Sequence, residues 1–263
     1  MTVVGCWADL VPRLLSSLVM VTLGGAALYT GGIILAILMS AVCAVMIWEV
    51  IGLLAPQRGK RPVVVAILFG VVFFVATWAS VQVAAVVGLF AVLAVRLSFV
   101  PNYSVFAPYC ALIYAGALGV FELRVQAGLG TVIWLITIVV ITDLAGYFVG
   151  RLIGGAKIWP SVSPKKTWSG TVAGWICVAL AGLLFLFFFQ DAHWMVLPIS
   201  IFLSAVSQAG DMLESHLKRL AGVKDSSQFI PGHGGFLDRF DGMIAVAAAG
   251  IALQLLISPT LGF

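Results

Sequence analysis

The sequence predicts an all-α protein: a polytopic membrane bundle of about nine transmembrane helices. Hydrophobic residues make up 62% of the 263 residues and charged residues only 9%, and the mean hydropathy of +1.17 is too high for a soluble domain. The apolar residues also fall into segments near the roughly 20 residues that a helix needs to cross a bilayer. Because lipid cannot satisfy the backbone of an open sheet, these segments are expected to be helical.

Nine segments fit this description, with boundaries good to a few residues. They cover about residues 11–29, 31–54, 63–79, 81–99, 104–121, 127–150, 169–189, 194–217 and 239–258. The turns near Thr30 and Ser80 are very short, so a count of about eight or ten would also fit. The first segment has no convincing cleavage site and is expected to be a retained span. No linker or internal repeat divides the chain, so residues 1–263 are predicted to form one integral-membrane domain.

Basic residues predict how the bundle is oriented. With the N-terminus in the cytoplasm, all of the 14 lysines and arginines except Arg124 fall on the cytoplasmic side. This bias predicts an integral protein of a plasma membrane, such as a bacterial inner membrane, with its long loops facing the cytoplasm. The net charge of +4 therefore reflects topology. No basic stripe with interleaved aromatic residues is present, so no nucleic-acid partner is expected.

Charged residues are concentrated in one short stretch. Nine of the 24 lie between positions 211 and 241: Asp211, Glu214, Lys218, Arg219, Lys224, Asp225, Asp238, Arg239 and Asp241. Charges at the edge of an otherwise apolar membrane protein usually mark a site for a charged substrate or ion. Two long loops rich in turn residues, 151–170 and 218–235, lie in this half of the chain. The chemistry is therefore expected at these loops and the adjoining helix ends.

Helical spacing brings the acids of this stretch together. The helix before the second loop carries four polar residues on one face, at i, i+3, i+4 and i+7: Asp211, Glu214, Ser215 and Lys218. The next helix opens with Asp238 and Asp241, which also share a face. If the two helices pack antiparallel, their carboxylates converge near the cytoplasmic surface, where Mg²⁺ could bind. The lysines and arginines around them suit phosphate oxygens.

The second loop contains a Pro-Gly-His-Gly-Gly run from Pro231 to Gly235. Glycines let a backbone turn sharply and approach a ligand, and the N–H groups of such a run can cradle an anion. His233 is a candidate general base, phosphate contact or support for the loop. Taken without the flanking acids, a plain turn at the membrane surface explains the run equally well.

Structural explanations stand beside these functional ones. Lys218, Arg219 and Lys224 could serve only as topology anchors. Asp211 and Glu214 could form a structural ion pair with Lys218.

Two acids lie outside the charged stretch. Asp143, near a cytoplasmic helix end, could contact substrate or make a structural hydrogen bond. Glu49, in the second span, is expected to pair with a neighbouring helix.

The stretch from Ser215 to Asp241 resembles the signature of the phosphatidate cytidylyltransferases, also called CDP-diacylglycerol synthases. The matching positions are Ser215, Lys218, Arg219, Lys224, Asp225, Pro231 or Gly232, His233, Gly234, Gly235, Asp238, Arg239 and Asp241. Upstream, other blocks resemble the family at residues 143–151, 163–168, 210–211 and 214–215, so the catalytic motifs occupy about residues 140–243. The chain departs from the family at Ser169, where Glu is usual, at Ser227, where Gly is common, and just after Asp143.

The resemblance implies an enzyme that transfers the cytidylyl group of CTP to phosphatidic acid, giving CDP-diacylglycerol and pyrophosphate in phospholipid synthesis. It implies a Mg²⁺-dependent homodimer in the bilayer, with room for a second metal ion, and it implies Asp211 and Asp238 as metal ligands. The catalytic residues it implies are Lys218, Arg219, Lys224, Asp225, His233, Arg239 and Asp241. The substrate-binding residues it implies are Asp143, Lys165, Lys166, Thr167, Glu214, Ser215, Gly234 and Gly235.

Two other functions remain as alternatives. An ion-coupled transporter would also carry acids within the membrane, but the sequence shows no inverted repeat and no broken helix near the midplane. A CTP-dependent transferase acting on a different lipid phosphate would carry the same motifs, because contacts to acyl chains leave no readable pattern.

Overall fold

The computed structural model describes residues 3–55, 61–99, 105–188 and 193–257. Within these ranges the chain forms nine helices and one hairpin: α1 (Val3–Thr30), α2 (Gly32–Leu54), α3 (Arg61–Ala76), α4 (Val81–Phe99), α5 (Phe106–Gln126), α6 (Leu129–Ile153), β1 (Lys157–Trp159), β2 (Ser163–Thr167), α7 (Trp168–Phe188), α8 (Val196–Leu220) and α9 (Leu237–Ile257). The helical class and the nine predicted segments are confirmed for this part of the chain. Three predicted segment ends, at residues 104, 189 and 258, lie outside the described residues.

Among the described helices, seven of the nine predicted spans are long and apolar enough to cross a membrane, namely α1, α2 and α5 to α9. The apolar parts of α3 and α4 are shorter, covering Pro62–Ala76 and Val81–Leu97. At 1.5 Å per residue they measure about 23 and 26 Å, less than the roughly 30 Å of a hydrocarbon core. Tyr114 of α5 fastens both to the bundle, because its hydroxyl donates to Ala84 O at 2.9 Å and its ring packs edge-on against Phe73 of α3.

The first long loop folds into a hairpin that the turn-rich sequence did not predict. Strands β1 and β2 pair antiparallel, with Lys157 opposite Thr167 and Trp159 opposite Ser163. The hairpin connects α6 to α7 beyond the helix ends, so it is not one of the membrane-spanning elements. It holds the lysines of this loop in a defined place, which a plain loop would not do.

Helix α5 is the most buried of the seven long helices and forms the centre of the bundle. It packs closely against α9 through Gly116 and Gly119. A Cβ atom at Gly116 would lie 2.5 Å from Ile244 O, and one at Gly119 would collide with Ala247 O. Without an apolar solvent to drive association, membrane helices depend on such small residues for close backbone contact. This crossing fixes the position of α9, which carries two of the predicted site acids, Asp238 in its first turn and Asp241 just after it.

Buried polar contacts fix α8 against its neighbours. Trp134 of α6 donates to Ser200 at 2.9 Å, and Thr142 of α6 shares a hydrogen bond with Ser204 at 2.7 Å. Hydrogen bonds between helices are favoured within a bilayer because lipid offers no competing partner. They set the rotation of α8 and therefore the direction of its polar face.

Helix α1 lies at the edge of the bundle, and most of its apolar side chains between residues 11 and 30 are exposed. At one end of the helix, Arg124 of α5 donates to Leu28 O at 2.6 Å and to Tyr29 O at 3.0 Å. These bonds satisfy carbonyls that a helix C-terminus leaves unpaired. Near its middle, at Ser16 and Ser17, α1 contacts the glycine-rich loop before α9.

Candidate functional site

The predicted site residues lie at one end of the bundle. This end is formed by the C-terminal ends of α6 and α8, the N-terminal ends of α7 and α9, the hairpin, and the segment 221–236. The two long loops meet here, since Lys166 of β2 contacts Asp211 of α8 and Arg219 of α8 donates to Val162 O in the hairpin at 3.4 Å. The expectation that both loops serve one site agrees with this geometry.

Lys218 lies between two buried carboxylates. Its Nζ atom is 2.6 Å from Glu214 Oε2 and 2.7 Å from Asp238 Oδ1. The three side chains are 13%, 1% and 8% exposed, respectively. Burying any one of these charges alone would be costly, so the three stabilise one another. Glu214 Oε1 is buried and makes no hydrogen bond to the described residues, which leaves an acceptor available to a cation or a donor.

Asp238 accepts further hydrogen bonds from the segment that precedes α9. Its Oδ2 atom accepts from Ser226 N at 3.0 Å, Ser226 Oγ at 2.9 Å and Gly235 N at 2.8 Å. A carboxylate with several backbone and hydroxyl donors is held in one orientation. Asp238 is therefore a fixed anion at the start of α9.

A second group of acids surrounds Lys166. Its Nζ atom is 2.5 Å from Asp211 Oδ2, with the two side chains 25% and 31% exposed. Asp143 of α6 and Asp241 of α9 both interact electrostatically with Asp211 and with Lys166. Ser215 donates to Asp211 Oδ1 at 3.4 Å. Carboxylates from three helices thus meet around one lysine, which shows that this place attracts a cation.

The acids pair differently from the simplest expectation. The ion pair foreseen for Lys218 forms with Glu214, whereas Asp211 pairs with Lys166. The proposed metal ligands Asp211 and Asp238 accordingly have different cationic partners. The spacing within α8 and α9 fixed which residues share a face, but the hairpin supplied a second lysine that spacing could not place.

Whether these residues suit Mg²⁺ depends on how many ligands the ion takes from protein. Among the described residues, no three side chains of His, Cys, Asp or Glu are arranged to hold a single ion. Mg²⁺ commonly takes only one or two carboxylates and completes its coordination with water and substrate phosphate. Asp211 and its neighbour Asp241 offer such carboxylates, so the donor set suits Mg²⁺ bound together with a nucleotide.

The hairpin packs against the end of α8. Trp159 stacks on His216 with ring centroids 5.8 Å apart. Thr167 is buried, and its Oγ1 atom accepts from Gly170 N at 3.2 Å at the start of α7. Lys165 is exposed. Of the three substrate-binding residues predicted in this loop, Lys166 therefore lies among the acids, Thr167 supports a helix start, and Lys165 is open to a ligand.

The glycine-rich segment forms a tight turn. Ile230 N donates to Gly234 O at 2.8 Å, and His233 N donates to Ile230 O at 3.0 Å. Gly232 and Gly234 have φ angles of 75° and 85°, values that other residues rarely adopt. Arg239 donates to His233 O from Nε at 3.0 Å and from Nη2 at 2.7 Å, and these two hydrogen bonds stabilise the turn.

The ring of His233 is bound on both sides by α1. Nδ1 is 2.7 Å from Ser16 Oγ, and Nε2 is 3.2 Å from Ser17 Oγ. Ser16 Oγ also lies within hydrogen-bond distance of Pro12 O, which can only accept. The tautomer of the ring decides which partner donates in each of its two contacts with the serines. Of the three roles considered for His233, support for the loop fits these contacts best.

Several residues of the site lie outside the predicted set. Ser16 and Ser17 gave no signal, because two small polar residues in an apolar helix look like ordinary packing. Tyr109 of α5 has a buried hydroxyl without a hydrogen-bond partner among the described residues, and it interacts electrostatically with Glu214 and Asp211. An isolated tyrosine in a span carries no readable pattern either.

Glu49 was noticed in the sequence as an acid within an apolar span. As expected it pairs with a neighbouring helix, because its carboxylate accepts from Phe236 N and Leu237 N at the start of α9. The two serines that depart from the family pattern also make hydrogen bonds: Ser169 Oγ donates to Gly154 O at 2.5 Å, and Ser227 Oγ donates to Glu49 Oε1 at 2.6 Å.

The remaining predicted catalytic residues are exposed. Lys224 and Asp225 lie in the turn after α8, and Arg219 donates to Val223 O at 3.1 Å within it. These charges border the site without entering its buried part.

Fold and site together define a polytopic membrane protein with a cluster of acids and lysines at one end. The chain belongs to the cytidylyltransferase family, whose model matches residues 11–256. The resemblance found from the motif is thereby confirmed.

Relatives from several bacteria are named phosphatidate cytidylyltransferase. The chain is 44% identical over 146 residues to the protein of Brucella suis, which covers 54% of each chain. It is 42% identical over 146 residues to that of Staphylococcus saprophyticus and 38% identical over 146 residues to that of Staphylococcus aureus, which in both cases covers 53% of this chain and 56% of the relative. The aligned region thus spans about half the length of these relatives.

Proposed function

We propose that this protein transfers the cytidylyl group of CTP to phosphatidic acid, giving CDP-diacylglycerol and pyrophosphate. The observation that carries the proposal is the meeting of carboxylates from α6, α8 and α9 with Lys166 and Lys218 at one end of a membrane bundle. A reaction between a lipid phosphate and a nucleotide triphosphate needs such a place, because both substrates are anions and one of them stays in the bilayer. The names of the relatives support phosphatidic acid as the lipid.

The chemistry requires positioning and charge neutralisation rather than a covalent enzyme nucleophile. A phosphate oxygen of the lipid attacks the α-phosphorus of CTP, and the bond from that phosphorus to the oxygen bridging to the β-phosphate breaks. Pyrophosphate leaves with the bonding electron pair, so negative charge grows on the departing group. Lys166 and Lys218, together with the exposed cations of the turn, neutralise the phosphates, and the fixed carboxylates orient these lysines.

By the resemblance, Asp211 and Asp238 would hold Mg²⁺, and Asp241 and Asp143 beside Asp211 would offer further carboxylates. When bound, the ion stabilises charge on the triphosphate. Lys166 is partly exposed and long, so it could reach a triphosphate bound beside Asp211.

We propose that this end of the bundle faces the cytoplasm, where CTP is available. We also propose, from the family resemblance, that the protein is a homodimer. The bias of basic residues supports the orientation. Cysteines introduced at the exposed positions Ser161 and Gln228 should then react with a membrane-impermeant thiol reagent only from the cytoplasmic side. Reaction from the outer face of sealed cells would contradict both the orientation and the use of cytosolic CTP.

The direct test uses purified full-length protein in lipid nanodiscs with CTP and Mg²⁺. Phosphatidic acid and other lipid phosphates are offered separately, and pyrophosphate and CDP-lipid are both measured. We expect both products with phosphatidic acid in equal amounts. Products with another lipid phosphate alone would assign the protein to a different CTP-dependent lipid transferase, and no product with any lipid would refute the proposal.

A further inference from the structure

We propose that Glu49 of α2 is a positioning residue that fixes the first turn of α9, and with it Asp238, for the reaction. This inference deepens the proposed function and rests on it. Glu49 lies in the N-terminal half of the chain, far from the sequence motifs, and is only 2% exposed. A buried acid in an apolar span is expensive, so it normally has a definite task.

The carboxylate of Glu49 is surrounded by donors from the segment that carries the motifs. Its Oε1 atom accepts from Phe236 N at 2.9 Å and Ser227 Oγ at 2.6 Å, and its Oε2 atom accepts from Leu237 N at 2.8 Å. Helix N-termini leave N–H groups unpaired, and a residue next to them in sequence usually supplies the cap. Here the cap comes from another helix, so α2 holds α9 at its first turn.

A carboxylate suits this position and an amide does not. Every group that faces Glu49 in these contacts is a donor, and an ionised carboxylate can only accept. A glutamine has nearly the same shape, but its NH₂ group would point a donor at a backbone N–H or at Ser227. The substitution Glu49→Gln therefore breaks part of the cap while it preserves volume.

Glu49 and Asp238 together accept the hydrogen bonds that the residues before and at the start of α9 donate. Asp238 accepts from Gly235 N and Ser226, while Glu49 accepts from the next two backbone N–H groups and, at 3.4 Å, from Ser226 Oγ. A Cβ atom at Gly235 would lie 2.5 Å from Glu49 Oε1 and would collide with Ser226 Oγ. Gly235 was predicted to bind substrate. The closeness of Glu49 and Ser226 is a further reason why this position holds a glycine. A shift of the turn away from Glu49 would move Asp238 relative to Lys218.

The test compares Glu49→Gln with Glu122→Gln. Glu122 of α5 is another buried glutamate, 6% exposed, and its Oε2 atom accepts from Gln126 at 2.6 Å. It lies at the opposite end of the bundle beside Thr77, so it is a matched control for changing a buried acid. Both variants are purified in nanodiscs and compared with wild type for folded fraction, kcat and the KM of each substrate.

A positioning role predicts a split between the kinetic constants. Glu49→Gln should lower kcat per folded molecule by at least about tenfold, with less than about a threefold change in either KM, because substrate binding remains while alignment is lost. Glu122→Gln should leave kcat within about twofold of wild type. An unchanged kcat in Glu49→Gln, or equal losses in both variants, would overturn the proposal.

A second measurement is independent of activity. Amide hydrogen exchange in the segment 226–240, recorded without substrates, should be faster in Glu49→Gln than in wild type and unchanged in Glu122→Gln. If wild type makes no CDP-lipid, the proposed function fails, and exchange still decides whether Glu49 holds this turn. Unchanged exchange in Glu49→Gln would show that it does not.

If Glu49→Gln does not fold, Glu49→Asp is measured in its place. Aspartate keeps an acceptor-only group and shortens the side chain by one methylene, so it can reach fewer of the donors. It should fold with a lowered kcat and faster exchange in the same segment. Wild-type kcat and exchange in this variant would refute the positioning role.

Discussion

The buried lysine between two acids permits a quantitative prediction about stability. Replacing Lys218 by methionine keeps most of the apolar stem but removes the ammonium that lies 2.6 Å from Glu214 and 2.7 Å from Asp238. The two carboxylates are 1% and 8% exposed, so water cannot replace the lost cation. The variant therefore leaves two neighbouring buried acids without their cation.

The expected loss in the free energy of unfolding follows from how deeply each ion pair is buried. Removing one partner of a buried ion pair costs about 3–5 kcal/mol. The Lys166–Asp211 pair, with side chains 25% and 31% exposed, is better screened, and removing its lysine should cost at most about 1 kcal/mol. Lys218→Met should therefore lower the free energy of unfolding by about 2–5 kcal/mol more than Lys166→Met does.

The assay is reversible denaturation in mixed detergent micelles, combined with a double-mutant cycle. If the loss in Lys218→Met arises from unpaired acids, Glu214→Gln should be much less harmful in that background than in wild type, since it removes one of those acids. The free energies of unfolding of wild type, both single variants and the double variant give the coupling. A stability of Lys218→Met within about 1 kcal/mol of Lys166→Met, or additive effects in the cycle, would refute this reasoning.

Three further predictions concern activity. Asp211→Asn should lower turnover by about a hundredfold in a protein that still folds, because the carboxylate organises the cations that stabilise the departing charge. Changing Lys165 and Lys166 together to alanine should raise the KM for CTP with little change in kcat, if they hold the triphosphate equally in the ground and transition states. Changing Ser16 and Ser17 together to alanine should alter the ¹⁵N signals of the His233 ring, because it loses both of its partners on α1, and should lower kcat several-fold.

Each of these predictions has its own contrary result. Near-normal turnover of Asp211→Asn with Mg²⁺ as the sole divalent ion would remove this residue from the metal site. A double lysine variant that loses only kcat, or that raises KM only for phosphatidic acid, would make the hairpin catalytic or lipid-binding. Thr22→Ala is the control for the serine pair, because Thr22 donates only within α1 in the described contacts, to Leu18 O at 2.7 Å. Histidine signals that stay the same in the serine variant would show that α1 does not hold the ring.

The sequence by itself determined the helical class, the segments and the region of the site. A membrane imposes a length and an apolar composition on every span, so each segment can be recognised without its neighbours. Spacing along α8 placed Glu214 and Lys218 on one face, and they form an ion pair. The motif from Ser215 to Asp241 indicated the family that the comparison confirms.

Only the tertiary structure decided which charges meet and what holds them. Lys166 reaches Asp211 because the first loop folds into a hairpin, and Glu49 reaches the start of α9 because both α2 and α9 pack against α5. Such partners lie far apart in sequence, and periodicity describes a single helix without specifying which neighbour its face meets. Contacts like that between Ser16 and His233 depend on where the loop before α9 lies against α1, which only the packing in three dimensions sets.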